Sequence, residues 1–287
     1  AGAMAEFDDD AMAAELMGAM NERDASRILS EMDPDDAAEL VSELDYDKAE
    51  KLLRLMGVQE QRAIRQLLGY RENTAGRIMT SEVATVSEDG TVADAVAMLR
   101  GLDEDFEAVR YVYLVDDSGK LAGVVTLNAL IAAEAETRLC DIATAELVTA
   151  SPEDDQEDVA EDIAKYNLLA MPVVNDEGRL LGIVTVDDAM DVIEEETTED
   201  FEKMAAMLPS DKPYLKAGIF ATWRARLPWL MILMLSATFT GMILNHYESA
   251  LAACLVLNSY IPMLSGTGGN SGTQASVAVI RALSLDE

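Results

Sequence analysis

A segment that occurs twice constrains the fold of this chain more than any other feature. The stretch YVYLVDDSGKLAGVVTLNALI (residues 111–131) returns as LAMPVVNDEGRLLGIVTVDDAMDVI (residues 169–193). Each copy has a strand rich in β-branched residues, a turn at a glycine, a second strand and the start of a helix. Matching residues lie 59 positions apart, as in the pairs Val115 and Val174, Gly119 and Gly178, Gly123 and Gly182, and Thr126 and Thr185. A strand-rich unit that is repeated once predicts two similar halves packed about a pseudo-twofold axis.

The repeat extends upstream with a different spacing. Ile78 and Thr80 match Ile142 and Thr144, which lie 64 positions further along the chain. The first copy therefore holds five more residues than the second. We place them in a loop around LDEDFEAVR (102–110).

Short amphipathic helices are predicted before the repeat, over residues 8–70. Apolar residues recur there at spacings of three and four, which is typical of helices with one buried face. The stretches are DDDAMAAELMGAM, RDASRILSEM, PDDAAELVSEL and DKAEKLLRLM. Asp33-Pro34 and Asp45 are typical helix starts. Successive helices of this kind stack into a small superhelix.

The C-terminal part contains an uncharged run of eighteen residues, LPWLMILMLSATFTGMIL (227–244). This length is close to the roughly 20 residues that cross the hydrocarbon core of a bilayer as a helix. Basic residues before the run place that side in the cytoplasm, and two tryptophans suit the interfacial belt. They are Lys212, Lys216, Arg224 and Arg226, with Trp223 and Trp229. The alternative is a buried core hairpin of a soluble protein.

A second apolar segment contains the polar, glycine-rich stretch PMLSGTGGNSGTQAS (262–276). A break of this kind in a membrane helix is costly unless it lines water or protein. Freed backbone carbonyls and neutral side-chain oxygens would then face a hydrated hard cation, which needs few direct ligands. The predicted pore-lining residues are Gly268, Gly269, Asn270, Thr273 and Gln274. Tight helix packing through Gly268 and Gly272 is the alternative.

The formal net charge of −33, from 54 acidic and 21 basic residues, argues against nucleic acid and anionic membrane surfaces as partners. It favours cations, although acidic surfaces also keep proteins hydrated in high-salt cytoplasms. Only clustered carboxylates therefore argue for a metal. Within VIEEETTEDFEKM (192–204), five acidic residues crowd into the seven positions 194–200, where like charges destabilise a helix unless a cation lies among them.

No enzyme site is predicted. The sequence shows no nucleophile–base pair and no phosphate-binding loop. Its one histidine, His246, follows the uncharged run, and the cysteines, Cys140 and Cys254, lack metal-ligand spacing.

Both copies of the repeat resemble cystathionine-β-synthase (CBS) motifs, which occur as a tandem pair. The signature is GIVTVDD (182–188), and in the first copy, GVVTLNA, Ala129 stands where Asp188 stands in the second. An acidic helical region precedes this pair. An acidic connecting helix, a basic flank and a membrane segment with GTGGNSGTQAS follow it. This order closely resembles the MgtE family of magnesium channels and transporters.

The resemblance implies a multidomain fold. An all-α helical-repeat N-terminal domain (1–76, partial) precedes an α/β tandem CBS (Bateman) module (77–198), with copies at about 77–138 and 139–198. A connecting plug helix (199–226) leads to an α-helical membrane segment (227–287), with helices at about 227–245 and 250–283. Family members have five membrane helices per subunit and a pore aspartate on the last. This chain is therefore expected to be a truncated part that does not conduct.

The same resemblance implies magnesium transport across the cell membrane by a homodimer of multi-pass subunits with cytoplasmic N-terminal domains. Cytosolic Mg²⁺ held between the N-terminal domain, the CBS pair and the plug helix is expected to close a pore on the twofold axis. The carboxylates at matching positions are Asp35, Glu39, Asp155, Glu157, Asp188, Glu196, Glu199 and Asp200. At one acidic position of the family this chain has Asn167, which supplies no charge.

A second hypothesis is an adenine-nucleotide-responsive CBS module of a divalent cation transporter. CBS pairs often hold adenosine nucleotides, and some MgtE relatives bind ATP in this way. Thr185 would contact the phosphate or ribose, and Asp188 the ribose hydroxyls. Asp188 is thus a candidate for both ligands.

Overall fold

The structure, a computed structural model, describes residues 10–102, 110–205, 207–208, 218–253 and 255–284. The chain divides into two compact units, Ala1–Glu194 and Glu195–Glu287.

Five short helices form the N-terminal domain of the first unit. Each of the first three packs on the helix two further along the chain. The helices are α1 (Asp10–Ala19), α2 (Glu22–Ser30), α3 (Pro34–Ser42), α4 (Tyr46–Leu55) and α5 (Val58–Leu67). This is the stack of successive helices that the sequence predicted.

Local sequence features mark the starts of three of these helices. The side chain of Asn21 accepts a hydrogen bond from the backbone N–H of Arg23 (3.2 Å) at the start of α2. Pro34 occupies the first turn of α3, where its missing N–H costs nothing. Asp33 and Asp45 directly precede α3 and α4, so both predicted helix starts are confirmed.

The two copies of the repeat fold into equivalent elements. The first contains α6 (Ala75–Ile78), β1 (Thr85–Ser87), α7 (Val92–Leu99), β2 (Tyr111–Val115), β3 (Leu121–Thr126) and α8 (Leu127–Ala132). The second contains α9 (Leu139–Ile142), α10 (Gln156–Tyr166), β4 (Ala170–Val174), β5 (Leu180–Thr185) and α11 (Val186–Met204). Strands β2 and β3 pair antiparallel, as do β4 and β5, in the same register. Strand β1 runs parallel to β2.

Backbone pairing shows the pseudo-twofold relation between the copies. The residues after the first helix of each copy bridge the last strand of the other copy: Thr80, after α6, pairs with Ile183 on β5, and Thr144, after α9, pairs with Val124 on β3. The two hairpin turns also meet, because Leu121 N donates to the Gly178 carbonyl at 3.0 Å. Each copy therefore completes the other, and the two related halves expected from the repeat are confirmed.

One hydrophobic core joins the N-terminal domain to the second copy. It includes Leu29 and Leu52 of the N-terminal domain, Met79 after α6, and Val173 and Val184 of the second copy. The first copy has a separate core around β2 and β3. In this structure the N-terminal domain is thus docked on the second copy.

The linker between the N-terminal domain and the repeat is fixed to the second copy by backbone hydrogen bonds. Ala75 N donates to the Asp154 carbonyl (2.9 Å), and Gly76 N donates to the Pro152 carbonyl (3.0 Å). Helix α6, the first element of the first copy, is therefore attached to the second copy.

The second unit contains three further helices, α12 (Ile219–His246), α13 (Glu248–Ala253) and α14 (Leu255–Ser284). Among the described residues, one segment, Thr222–His246, is long and apolar enough to cross a membrane, and none of its apolar window is buried in the protein.

Two features of this part of the chain differ from the prediction. The connecting helix expected over 199–226 is not continuous, because α11 ends at Met204 and residues 219–226 begin α12. The glycine-rich stretch does not break its helix, since α14 continues through it. Thr273 Oγ1 donates to the Gly269 carbonyl (3.1 Å) within that helix. A glycine lowers helix stability by about 1 kcal/mol without forbidding the helix.

Two predicted features cannot be compared with the structure. Most of the loop expected to hold the five extra residues, 102–110, lies outside the described residues, as do Lys212 and Lys216 of the basic flank.

We expect Gly182→Ala to destabilise the protein more than Gly123→Ala. A Cβ on Gly182 would lie 2.5 Å from the Thr80 carbonyl oxygen and 2.9 Å from Met79 Sδ, whereas one on Gly123 would lie 3.2 Å from the Thr144 carbonyl oxygen. Overpacking of this kind costs about 1–3 kcal/mol. Thermal unfolding followed by circular dichroism should show the larger loss for Gly182→Ala. Equal losses would contradict the closer approach at Gly182.

Candidate functional site

Acidic residues from two helix starts meet where the N-terminal domain packs on the second copy. Asp35 and Asp36 lie in the first turn of α3, which Asp33 precedes, and Asp187 and Asp188 lie in the first turn of α11. Acidic residues are favoured at such positions because a helix N-terminus carries a partial positive charge. Packing brings the two groups within electrostatic reach of each other. We call the cluster of Asp33, Asp35, Asp36, Glu82, Asp187 and Asp188 the acidic joint.

Asp35 is the most shielded carboxylate of the acidic joint. Burial, followed by repulsion from Asp188 and Asp36, raises the pKa of Asp35 well above its ordinary value. Its Oδ1 is hidden from solvent and has no hydrogen-bond partner among the described residues. A hidden polar atom without a partner costs free energy. This oxygen is therefore available to a ligand.

Asp188 opposes Asp35 from the start of α11. Its Oδ2 accepts hydrogen bonds from the Thr185 hydroxyl and, at 3.3 Å, from the Thr185 backbone N–H. Burial raises the pKa of Asp188 to about 7, although the hydrogen bond from Thr185 lowers it; repulsion from Asp187 and Asp36 adds to the rise. The contact with Thr185 fixes the orientation of this carboxylate.

Asp33, at the edge of the acidic joint, is also partly buried and close to other negative charges. Burial raises the pKa of Asp33, and repulsion from Glu82 and Asp187 raises it further. The charges that act most strongly on Asp33, Asp35 and Asp188 are all negative. Carboxylates in such an arrangement either retain protons or bind a cation.

The geometry suits a hydrated cation better than one enclosed by protein ligands. Within the part of the chain that the structure describes, no three carboxylate, imidazole or thiol groups are placed to hold one metal ion together. Mg²⁺ commonly binds through one or two carboxylates and keeps several waters. Asp35 and Asp188 would supply two carboxylates of this kind.

The other metal residues predicted for the first unit have different surroundings. Glu39 lies near the guanidinium of Arg77. Asp155 caps α10, because its Oδ1 accepts a hydrogen bond from Glu157 N (3.0 Å). Glu157 lies in the first turn of that helix. The carboxylate of Asp155 therefore already has a structural role, as the N-terminal cap of α10.

The acidic residues predicted for the plug helix lie on the last turns of α11. Glu199 Oε1 lies 2.8 Å from Lys203 Nζ. The hydrogen bond to Glu199 raises the pKa of Lys203, and the charges of Glu199, Asp200 and Glu196 contribute. A lysine therefore already supplies positive charge where the sequence predicted a bound cation.

Asn167, where the sequence analysis expected an acidic residue, has a local structural role. It ends α10 with a left-handed φ of 52°. Asparagine adopts this conformation more readily than most residues, which makes it a common helix terminator.

The predicted pore-lining residues lie on α14. They are Gly268, Gly269, Asn270, Thr273 and Gln274, all exposed. Among the described residues, nothing lies within 4 Å of a Cβ placed on Gly268 or Gly272. The close helix packing weighed as an alternative is therefore not seen in the described part of the chain.

Sequence reasoning missed four members of the acidic joint and one basic neighbour. The missed residues are Asp33, Asp36, Glu82, Asp187 and Arg77. The aspartates carried a weak signal, because each adjoins a predicted ligand or a helix start. Only the packing of α3 against the second copy shows that they converge.

The chain matches known protein families over most of its first unit. Residues 1–73 match the family model described as the MgtE intracellular N domain, and residues 75–136 and 139–195 match the CBS domain. The magnesium transporter MgtE of Thermus thermophilus is 45% identical over 209 residues, which cover 73% of this chain and 46% of that protein. The chain belongs to the MgtE family.

Solved structures agree with this assignment. The soluble part of a magnesium transporter superposes with a TM-score of 0.65 at 36% identity, over 67% of this chain and 76% of that one. The cytosolic domain of the Mg²⁺ channel MgtE in complex with ATP superposes with a TM-score of 0.57 at 34% identity, over 64% and 80%.

This MgtE-family chain spans about half the length of the curated MgtE relatives it matches. Those relatives are named magnesium transporters, which agrees with the expectation that the chain is not an enzyme.

We expect Asp35→Asn to stabilise the metal-free protein at pH 8. The amide removes a charge that burial and Asp188 disfavour, and each unit by which a pKa is raised corresponds to about 1.4 kcal/mol. Glu43→Gln, an exposed change directly after α3, is the control and should leave the thermal unfolding temperature in EDTA unchanged. An Asp35→Asn protein that unfolds at a lower temperature than the parent would contradict electrostatic strain at the acidic joint.

Proposed function

We propose that this chain is the magnesium-sensing cytosolic part, with the first membrane helices, of a homodimeric Mg²⁺ channel or transporter. The observation that supports this most directly is the hidden, unpartnered Oδ1 of Asp35, opposite Asp188. Two carboxylates placed together in this way require protons or a cation. The names of the relatives point to Mg²⁺ as the cation.

Because of the acidic joint, the docked arrangement would bind Mg²⁺ more tightly than the undocked one. A switch requires such a difference in affinity. The shared hydrophobic core favours docking of the N-terminal domain on the second CBS copy, whereas repulsion between Asp35 and Asp188 opposes it. Because Asp35 and Asp188 can hold Mg²⁺ together only in the docked arrangement, the docked population rises with Mg²⁺ concentration. At 100 times the Kd, binding would stabilise that arrangement by about 2.7 kcal/mol.

Helix α11 would carry this change toward the membrane. It begins two residues before Asp188 and continues for 19 residues to Met204, a length of about 28 Å. A displacement at Asp188 therefore moves the far end of the same helix. We expect Glu196, Glu199 and Asp200 to contribute further Mg²⁺ ligands there, in competition with Lys203.

Helix α12 supports insertion into the cell membrane. Its apolar side chains are exposed, with Trp223 and Trp229 near one end, and a bilayer would cover them. Arg224 and Arg226 would keep that end, and with it the N-terminal domain and CBS pair, on the cytoplasmic side.

The pore would be lined from α14. Because α14 continues through the glycine-rich stretch, its backbone carbonyls remain in the helix. Side-chain oxygens of Asn270, Thr273 and Gln274 would instead face the hydrated ion, and Gly268 and Gly269 would leave room for its water.

Two exposed apolar side chains support the homodimer. Ile131 on α8 is 75% exposed, and Met190 on α11 is 65% exposed. They lie 59 positions apart, so the pseudo-twofold axis relates them. Contiguous apolar surface marks a protein interface, and the twofold axis of a dimer would bring these residues of the two subunits into one such surface. The CBS pairs of two subunits would therefore meet through α8 and α11.

An adenine nucleotide is the second candidate ligand, because the cytosolic domain of a related Mg²⁺ channel was crystallised with ATP. Thr185 and Asp188 are the residues expected to contact it. Thr185 already donates to Asp188, and Asp188 also faces Asp35. Binding of a nucleotide through Asp188 would thus compete with closure of the acidic joint.

We expect Mg²⁺ to protect the linker between the N-terminal domain and the CBS pair. Trypsin cleavage near residues 70–80 should slow as Mg²⁺ rises, because docking shields the linker. Asp188→Asn removes both the repulsion that opposes docking and one Mg²⁺ ligand, so cleavage should be slow already without Mg²⁺ and should change little as Mg²⁺ rises. Glu43→Gln should respond to Mg²⁺ like the parent. Equal protection by Na⁺ or Ca²⁺ would contradict a Mg²⁺ sensor. Protection by ATP without Mg²⁺ would favour the nucleotide instead.

We expect Met190→Glu to separate the subunits. The charge would be buried in the interface that we place at α8 and α11, at a cost of several kcal/mol. Tyr46→Glu changes a comparably exposed apolar side chain of the N-terminal domain (79% exposed) and should leave the dimer intact. Analytical ultracentrifugation in detergent measures the mass, and a dimeric Met190→Glu protein would refute this interface.

A further inference from the structure

Arg77 is a half-buried cation beside the acidic joint. It lies on α6, and its Nη2 donates to the carbonyl of Ala38 on α3 (3.3 Å). Burial lowers the pKa of Arg77, while attraction to Glu39 and Glu72 raises it. Arginine remains charged under such conditions. A positive charge is therefore held against the C-terminal half of α3.

The two partners of this contact belong to different bodies. Arg77 follows Ala75 and Gly76, which are hydrogen-bonded to the segment before α10 of the second CBS copy. Ala38 and Glu39 belong to the N-terminal domain. The contact therefore crosses the same boundary as Asp35 and Asp188.

Helix α3 thus meets opposite charges along its length. Asp35, in its first turn, faces Asp188, and the strongest charges acting on Asp35 are negative. About one turn later, Ala38 and Glu39 face the guanidinium of Arg77. One end of the helix is repelled from the second copy, and the other is attracted to it.

We propose that Arg77 is a built-in counter-ion that keeps the C-terminal half of α3 docked on the second CBS copy when no divalent cation is bound. The N-terminal domain would then open at the Asp35 end and remain held at Arg77. A partly docked domain is also more competent to bind, so its apparent Kd for Mg²⁺ is lower. The lower apparent Kd for Mg²⁺ rests on the proposed function, whereas the docking of α3 by Arg77 does not.

Hydrogen exchange of the full chain in detergent micelles with EDTA tests the first effect. Peptides over residues 33–43 should exchange about tenfold faster in Arg77→Gln than in the parent, since a charge-assisted hydrogen bond is lost. Arg71→Gln changes an exposed arginine of the same linker and is the matched control, which should exchange like the parent. Parent-like exchange in Arg77→Gln would overturn the proposal.

A second variant tests the proposal even if Arg77→Gln does not fold. Glu39→Gln removes a negative charge on α3 that attracts Arg77 and should also speed exchange, by less than Arg77→Gln, which in addition loses the hydrogen bond to the Ala38 carbonyl. In the double variant the two effects should not add, because Arg77→Gln already removes the attraction that Glu39→Gln removes. Exchange in Glu39→Gln equal to that of Glu43→Gln would overturn the proposal, as would full additivity.

A Mg²⁺ titration separates this proposal from the proposed function. Protection of residues 33–43 should require more Mg²⁺ in Arg77→Gln than in the parent. If Mg²⁺ protects neither protein, the sensor is refuted, while faster exchange of Arg77→Gln in EDTA still supports the counter-ion. If Mg²⁺ protects both with one midpoint and exchange in EDTA is also equal, the sensor stands and the counter-ion is refuted.

Discussion

Repulsion between Asp35 and Asp188 at the edge of a shared hydrophobic core is the interaction on which the rest of the structure depends. The core joins the N-terminal domain to the second CBS copy and favours contact between them. The carboxylates at its edge oppose that contact, and the hidden Oδ1 of Asp35 is left without a partner among the described residues. Such a balance can be shifted by a few kcal/mol, which is what a ligand-controlled joint requires.

The repeat explains why an acidic residue faces Asp35 from the second copy and has no counterpart in the first copy. Thr126 and Thr185 cap α8 and α11 in the same way, by accepting hydrogen bonds from the backbone N–H of Ala129 (3.2 Å) and Asp188 (3.5 Å). The caps are equivalent, but the first copy has a core of its own, whereas the second shares the core of the N-terminal domain. A carboxylate opposite Asp35 is therefore needed only at position 188. A symmetric fold thus carries a single acidic joint.

Sequence patterns predicted the parts of this structure that depend on local chemistry. The offset of 59 residues gave the paired hairpins, Asp33-Pro34 gave the start of α3, and two carboxylates of the acidic joint were among the candidates. Asp36 and Asp187 lie near these two carboxylates only because of tertiary packing, which one sequence does not show. The unbroken α14 was missed because four glycines weaken a helix without ending it. The capping role of Asp155 was missed because a helix cap and a metal ligand call for the same residue type.

Anomalous scattering from crystals soaked in Mn²⁺, a hard cation that binds carboxylates as Mg²⁺ does, tests the central claim most directly. The account predicts an anomalous peak between the carboxylates of Asp35 and Asp188, lost when excess Mg²⁺ is added. Crystals with the N-terminal domain docked, no peak at this position and the two carboxyl groups hydrogen-bonded to each other would contradict it, because a shared proton would then take the place of the cation.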